Sequence, residues 1–303
     1  MFLTRGSDAM FRVNKCESGI MHRPDSRRYD TVQQRLTELT AALEQAATTL
    51  RGGYQAEQLY ALRVSMRRLR SMLKPLSSSR SRQFRKTWGG FATVTNQARD
   101  WDVFLLAARD LLPEEQYGAF EARNRQNVLF CHEAVIELIE SAPWQRHLQE
   151  WHLYLERPHH HEAEEFMAPR SLDLALSGAR TALAAARASG DERAWHKLRI
   201  AVKEVRYQAE SGPGGTAEDP VQAELIEHCK PLQALLGSWH DCVVQLQLLE
   251  ELETTPDHDH LRGVIEQKRV QGLAEIQQAV EDHPLFEPSS STTRARSASL
   301  NGS

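Results

Sequence analysis

Apolar residues recur along this chain in steps of three and four, the spacing that gathers them on one side of a helix. Val32, Leu36, Leu39, Leu43, Ala46 and Leu50 form one such row, closed by Gly52-Gly53. Leu62, Met66, Leu69 and Leu73 form a second, stopped by Pro75 and a run of serines. Leu198, Val202, Val205 and Ala209 form a third, stopped by Ser211-Gly212-Pro213-Gly214-Gly215. The same period predicts helices over roughly 80–97, 100–112, 114–141, 143–156, 171–189, 219–236, 238–254 and 258–282. Alternating strand patterns bounded by hairpin turns are missing. The predicted fold is all-α, built from helical bundles.

The polar positions of two of these rows nearly repeat each other. Leu62-Arg63-Val64-Ser65-Met66-Arg67-Arg68-Leu69-Arg70 is followed 136 residues later by Leu198-Arg199-Ile200-Ala201-Val202-Lys203-Glu204-Val205-Arg206. In each, a cation falls at i, i+4 and i+7: Arg63, Arg67, Arg70, then Arg199, Lys203, Arg206. Those positions share one helix face, about 100° from the apolar row, so the cations border the buried side. Acids within four residues are scarce, which predicts that local pairing leaves the stripes charged. A duplicated stripe of like charge calls for an anion. Each spans about 10 Å, a better match to a linear polyanion than to a single phosphate. Arginine contributes a forked donor set and lysine a point charge.

A second duplication follows the first. Asn96-Gln97-Ala98-Arg99-Asp100-Trp101-Asp102-Val103 aligns with Gly237-Ser238-Trp239-His240-Asp241-Cys242-Val243-Val244. Asn96 and Gly237 suit a left-handed helix closure, and Asp100 and Asp241 suit the N-cap of the helix after it. Each half then reads as a cationic helix, a helix, a turn and an Asp-capped helix.

Charge sharpens this picture. The chain is acidic overall, with a net charge of −4, yet between Leu59 and Leu106 ten Lys/Arg face only Asp100 and Asp102, a local balance of +8. Local positive charge within an acidic protein points to a defined anion site; a general nucleic-acid binder is more often basic throughout. Four scattered cysteines without a CxxC pair argue against a disulfide scaffold or Cys-based zinc site. No signal peptide and no run long enough to span a membrane is read. Residues 1–27 and 283–303 read as disordered, 158–170 as a linker, and 211–220 as a loop. The two halves are then 28–157 and 171–282.

Together the motifs resemble the CHAD family, the conserved histidine α-helical domain. The second copy carries His196-Lys197-Leu198-Arg199-Ile200, Lys203, Val205-Arg206-Tyr207, then Leu235-Leu236-Gly237 and Asp241; the first matches over Leu62 to Arg70 and Arg99 to Val103. The resemblance covers roughly residues 28–282. It implies two pseudo-symmetric four-helix bundles with a basic channel between them that binds inorganic polyphosphate. It also implies a non-catalytic, cytoplasmic protein at the surface of polyphosphate granules, with granule-associated proteins as further partners and no cofactor. No ExExK motif of the companion triphosphate-tunnel domain occurs, so the chain reads as a stand-alone member.

The chain departs from the pattern at Tyr60, where the first copy should carry histidine, and at Glu204, where the second should carry a cation. On charge count the first stripe is expected to bind more tightly, and His196 to carry most of any pH dependence. The main candidates are Arg63, Arg67, Arg70, His196, Arg199, Lys203 and Arg206. Tyr60, Arg68, Lys74, Arg82, Arg85, Lys86, Arg99 and His240 could extend the surface. His159-His160-His161 and Asp257-His258-Asp259-His260 read as a solvated linker and a helix start, not as metal sites. Trp88, Trp101, Trp151, Trp195 and Trp239 read as packing residues. No nucleophile or general base emerges. Two alternatives stay open: a nucleic-acid-binding helical protein, which would want aromatics among the cations, and a metal-dependent phosphohydrolase, for which Asp100, Asp102 and Asp241 are the candidate carboxylates.

Overall fold

The computed structural model describes residues 26–74, 76–156, 170–211 and 220–286. They form ten α-helices: α1 (Ser26–Gly52), α2 (Ala56–Leu73), α3 (Ser79–Val94), α4 (Asn96–Leu111), α5 (Glu114–Glu140), α6 (Ala142–Leu155), α7 (Arg170–Ser189), α8 (Glu192–Ser211), α9 (Pro220–Glu250) and α10 (Pro256–Ala279). A 3-10 turn, Pro284–Phe286, follows. No strand occurs among the described residues, so the fold is all-α as the apolar rhythm predicts.

Local chemistry sets the boundaries. Ser78 and Ser141 accept from the backbone N–H groups of Ser81 and Trp144 and so cap α3 and α6. Thr255 does the same for α10 through His258 N, with Pro256 opening that helix. Gly190 closes α7 at φ +64°, a left-handed conformation that suits glycine, and its N–H bonds Ala186 O at 2.9 Å.

Two cores result. The first is centred on an aromatic box of Trp88, Trp144, Trp151, Phe84, Phe91 and Tyr154, in which His147 packs against Trp88, Phe84 and Phe91. The second gathers Trp195, Leu198, Val202, Val205, Leu232, Leu236 and Trp239. Trp101 is buried as well, so every tryptophan named from the sequence packs inside. Removing one such ring would leave a cavity costing about 3–5 kcal/mol.

α1, α2, α3–α4 and α5 run in the same order as α7, α8, α9 and α10, while α6 stands outside that correspondence. The first half therefore has six helices where four are expected. The extra count comes from α6 and from a break at Thr95, which sits between α3 and α4 at φ −84°, ψ 0°. At the matching place α9 is continuous. Gly237 is helical, so it closes nothing, and neither Asp100 nor Asp241 is an N-cap; both lie inside helices. The cores also interlock. Cys242, Leu248 and Leu249 from the end of α9, with Leu261 and Ile265 from α10, belong to the first core, not the second.

The C-terminal boundary shifts too: Leu285 is 1% exposed and packs on the second core. α8 includes Ser211 and α9 starts at Pro220. Residues 1–25, the linker with His159-His160-His161, the loop 212–219 and the tail from 287 lie outside the described residues.

Candidate anion-binding site

α2 buries Leu59, Leu62, Met66, Leu69 and Leu73; α8 buries Trp195, Leu198, Val202 and Val205. Each cationic stripe runs along the margin of its apolar row, and α2 and α8 pack against each other there, as α4 does against α9. Three contacts mark the seam. The Arg67 guanidinium lies 5.2 Å from the Tyr207 ring centroid. Gln208 Nε2 donates to Ser71 O at 3.5 Å, and Lys74 Nζ pairs with Glu204 at 3.0 Å.

The charges meet around this seam. Arg63 and Arg67 from the first half interact with Lys203 from the second, Arg67 also with Arg199, and Arg99 with Asp241; the carboxylates of Asp100 and Asp241 lie among them. Five cations thus stand against two carboxylates. Burial holds Lys203 down to about 7, and Arg199 and Arg67 push it the same way. Burial lifts Asp100 to about 6 against the pull of Arg63, with Asp241 beside it lifting it further. Asp241 is raised by burial and held back by Arg199 and Arg99. Arg63 and Arg199 are both lowered by burial. The buried Nε donors of Arg67, Arg68 and Arg199 have no hydrogen-bond partner. An unpaired buried donor on a cation is costly, so these groups await an acceptor.

The seam does not collect both stripes whole. It follows the i, i+4, i+8 ridges: Arg63, Arg67 and Ser71 on α2; Arg199, Lys203 and Tyr207 on α8. The i+7 residues lie about 60° aside from the i+4 ones and leave it. Arg70 stacks on α3, with its guanidinium 3.4 Å from where a Cβ on Gly89 would stand, and is influenced by Arg85 and Glu204. Arg206 donates to Glu210 at 2.7 Å and to Gln233 at 3.2 Å. The expected lack of local acids therefore fails at Arg206, because Glu210 sits four residues on and on the same face.

Arg63 has a second task. Its guanidinium donates to Ala92 O at 3.1 Å, Thr95 Oγ1 at 2.5 Å and Asn96 Oδ1 at 2.9 Å, so it fastens the α3–α4 break. His196 and His240 lie together, Nδ1 to Nδ1 at 3.4 Å with ring centroids 4.5 Å apart. At the matching place in the first half the Arg99 guanidinium lies 5.5 Å from the ring centroid of Tyr60, which is 54% exposed. Of the outer candidates, Arg68 borders the seam near Tyr207. Lys74 is engaged with Glu204. Arg85 reaches Lys74 O at 3.5 Å. Arg82 and Lys86 are exposed on α3, away from these contacts.

Sequence reasoning passed over Tyr207 as a site residue, although i+8 from Arg199 was a signal for it. It placed Asp100 and Asp241 at helix caps. It had no means of finding Tyr54, whose hydroxyl donates to Asp102 at 2.8 Å while its ring stacks on His132 at 3.4 Å and pins α4 beside Arg99. Asp257 to His260 is a helix start, with His258 buried and its Nε2 2.8 Å from Leu249 O. Among the described residues no group of three or more His, Cys, Asp or Glu is placed to hold a metal, and no helix is long and apolar enough to cross a membrane.

A model of the CHAD domain matches residues 34–250. That is more than two thirds of the sequence, and the chain belongs to the CHAD family. The crystal structure of the CHAD domain from the plant Ricinus communis superposes with a TM-score of 0.62 at 20% identity, covering 90% of this chain and 92% of that one. PptA from Streptomyces chartreusis superposes with a TM-score of 0.60 at 14% identity, covering 83% and 98%. At these identities both comparisons establish the fold. No curated protein matches the sequence significantly.

Proposed function

We propose that this protein binds inorganic polyphosphate at the α2–α8 seam, with no catalytic step, and that it associates with polyphosphate granules in the cytoplasm. The observation that carries the reading is the set of buried guanidinium donors on Arg67 and Arg199 that lack acceptors inside a cluster of five cations and two carboxylates. Family membership supports the same ligand. Arg67, Arg199 and Lys203 are its core contacts; Arg63 and Arg99 contribute charge from the first half, and His196 with His240 are further contacts in the second. Arg70 and Arg206 serve as outer contacts at the two departures from the seam. The mechanism is neutralisation of several phosphates with release of their counterions, so affinity falls steeply with salt.

The test is a calorimetric titration with polyphosphates of graded length at several salt concentrations. Affinity should rise with chain length until the seam is filled, and log K should fall linearly with log salt. Binding that is flat across salt would sink the reading. Exposed Tyr60 beside Arg99 gives nucleic acid one stacking surface among the cations. Competition separates the two: long-chain polyphosphate should displace an oligonucleotide far better than the reverse. Phosphate release from polyphosphate in Mg²⁺ or Mn²⁺ would instead revive a hydrolytic role for Asp100 and Asp241.

A further inference from the structure

The two ends of the seam are built from matched pairs of different chemistry. Tyr60 and His196 begin their motifs at equivalent positions, and Arg99 and His240 are equivalent in the second duplication. The structure keeps each pair together: Arg99 over Tyr60 in the first half, His240 against His196 in the second. The first pair carries a charge that no ordinary pH removes. The second consists of two imidazoles meeting through their Nδ1 atoms at 3.4 Å, a contact in which one nitrogen donates and the other accepts.

We propose, resting on the polyphosphate reading above, that this makes the two ends functionally unequal: the Tyr60–Arg99 end is a permanent anion contact, whereas the His196–His240 end becomes one by taking up a proton as the polyanion docks. The geometry sets the consequence. One added proton leaves the Nδ1 contact in place, with the imidazolium donating through it, and gives the pair a positive charge and an outward Nε2–H on each ring. The surrounding charge explains why the free pair is neutral. On α8, Arg199 and Lys203 face both rings, and burial with these cations holds His240 down to about 3 and lowers His196. Asp241 follows His240 on α9 and is engaged by Arg199, Lys203 and, from α4, Arg99. Asp100 on α4 and Arg63 and Arg67 on α2 complete the ring of charge. A phosphate chain lying on Arg199 and Lys203 offsets their share of what keeps the imidazoles neutral, and its oxygens supply the acceptors that a buried imidazolium lacks. Lys203 and Asp100 titrate in the same range, so bulk pH dependence alone does not isolate the histidines.

Exchanging the pairs does. Titration at pH 7 with long-chain polyphosphate, whose internal phosphates stay ionised from pH 6 to 8, is run in two buffers of different ionisation heat to count protons taken up on saturation. The swap His196→Tyr/His240→Arg should lower the wild-type count by about one, and Tyr60→His/Arg99→His should raise it by about one. Helicity by circular dichroism checks that the variants fold. On the wild-type protein, ring resonances of His196 and His240 should move toward the imidazolium position on saturation. Unchanged proton counts in the swaps, or histidine resonances that stay put while the ligand binds, overturn the inference and leave the polyphosphate reading intact. A wild-type protein that does not bind long-chain polyphosphate at pH 7 overturns both.

Discussion

Arg63 reaches from α2 to the break between α3 and α4, where it donates to Ala92 O, Thr95 and Asn96. Arg199, its counterpart on α8, lies against α9, which runs unbroken through Gly237 and offers no such acceptors. Its Nε is buried without a partner. The same residue at the same motif position thus supports the fold in one half and keeps an unpartnered buried donor in the other. Helix continuity, not the motif, decides which. A broken helix exposes carbonyls and a hydroxyl that can accept from a guanidinium; a continuous one consumes its own carbonyls. Charge count alone favours the first stripe, but part of that charge is spent holding α3 to α4.

The sharpest way to break this comparison is to reverse the two arginines separately. Arg199→Glu should weaken long-chain polyphosphate about 100-fold or more, at a smaller stability cost than Arg63→Glu, since it adds a carboxylate beside Asp241 and Asp100 but breaks no hydrogen bond. Arg63→Glu should lose both binding and stability. Equal destabilisation by the two would remove the distinction.

Deletion of the charge is the next test. Arg63→Ala should cost about 2 kcal/mol in urea unfolding, since it strips a charged donor from buried Thr95 and the half-buried Ala92 carbonyl and unties Asn96. Arg199→Ala should cost less, no more than about 1 kcal/mol, because the like charge it takes from Arg67 and Lys203 is set against the loss of its pull on Asp241.

The two cores should part under acid. His147 in the first core is pressed down to about 4 from an ordinary 6.5 by burial among aromatic rings. The unfolded chain therefore takes the proton first. Stability is complete above about 6.5 and declines as pH falls towards 4, by about 3 kcal/mol. His147→Phe should flatten that limb of a pH-dependent denaturation curve. Asp100 acts with the opposite sign. Its folded value near 6 exceeds the usual 3.8, so its penalty is present at pH 7 and fades as pH falls. With its partial exposure discounted, Asp100→Asn should add about 1 kcal/mol at pH 7, and also strengthen polyphosphate binding by removing a carboxylate from the cluster. The smallest effect belongs to the Lys74–Glu204 pair, whose lysine is exposed and whose carboxylate is half-buried and also accepts from Gln208: Glu204→Gln keeps an acceptor there and should move stability by no more than about 0.5 kcal/mol.

Much of the fold is legible in the residues. The apolar rows of α1, α2 and α8 and the tryptophans predict helices and buried faces, because both follow from local periodicity and size. The stripes also point to the candidate seam through residues four apart. What escapes is whatever depends on partners far along the chain. His196 meets His240 across 44 residues and Arg63 meets Thr95 across 32, and no local spacing reports either. Glycine at 237 has the right identity for a turn, yet packing on both sides of α9 keeps the helix going. Arg206 was separable in principle: Glu210 lies one turn on, and i+7 diverges from the i+4, i+8 ridge.

α9 has one further implication. Its first part is set in the second core and its last turns, Leu248 and Leu249, in the first. A helix rooted at both ends leaves no hinge between the halves, so the seam cannot work as a clamp that closes on its ligand. On the polyphosphate reading the seam is preorganised instead, and a flexible chain of phosphates would do the conforming. The loss of freedom on binding then falls on the ligand, and the protein's radius of gyration in solution should be the same empty and loaded.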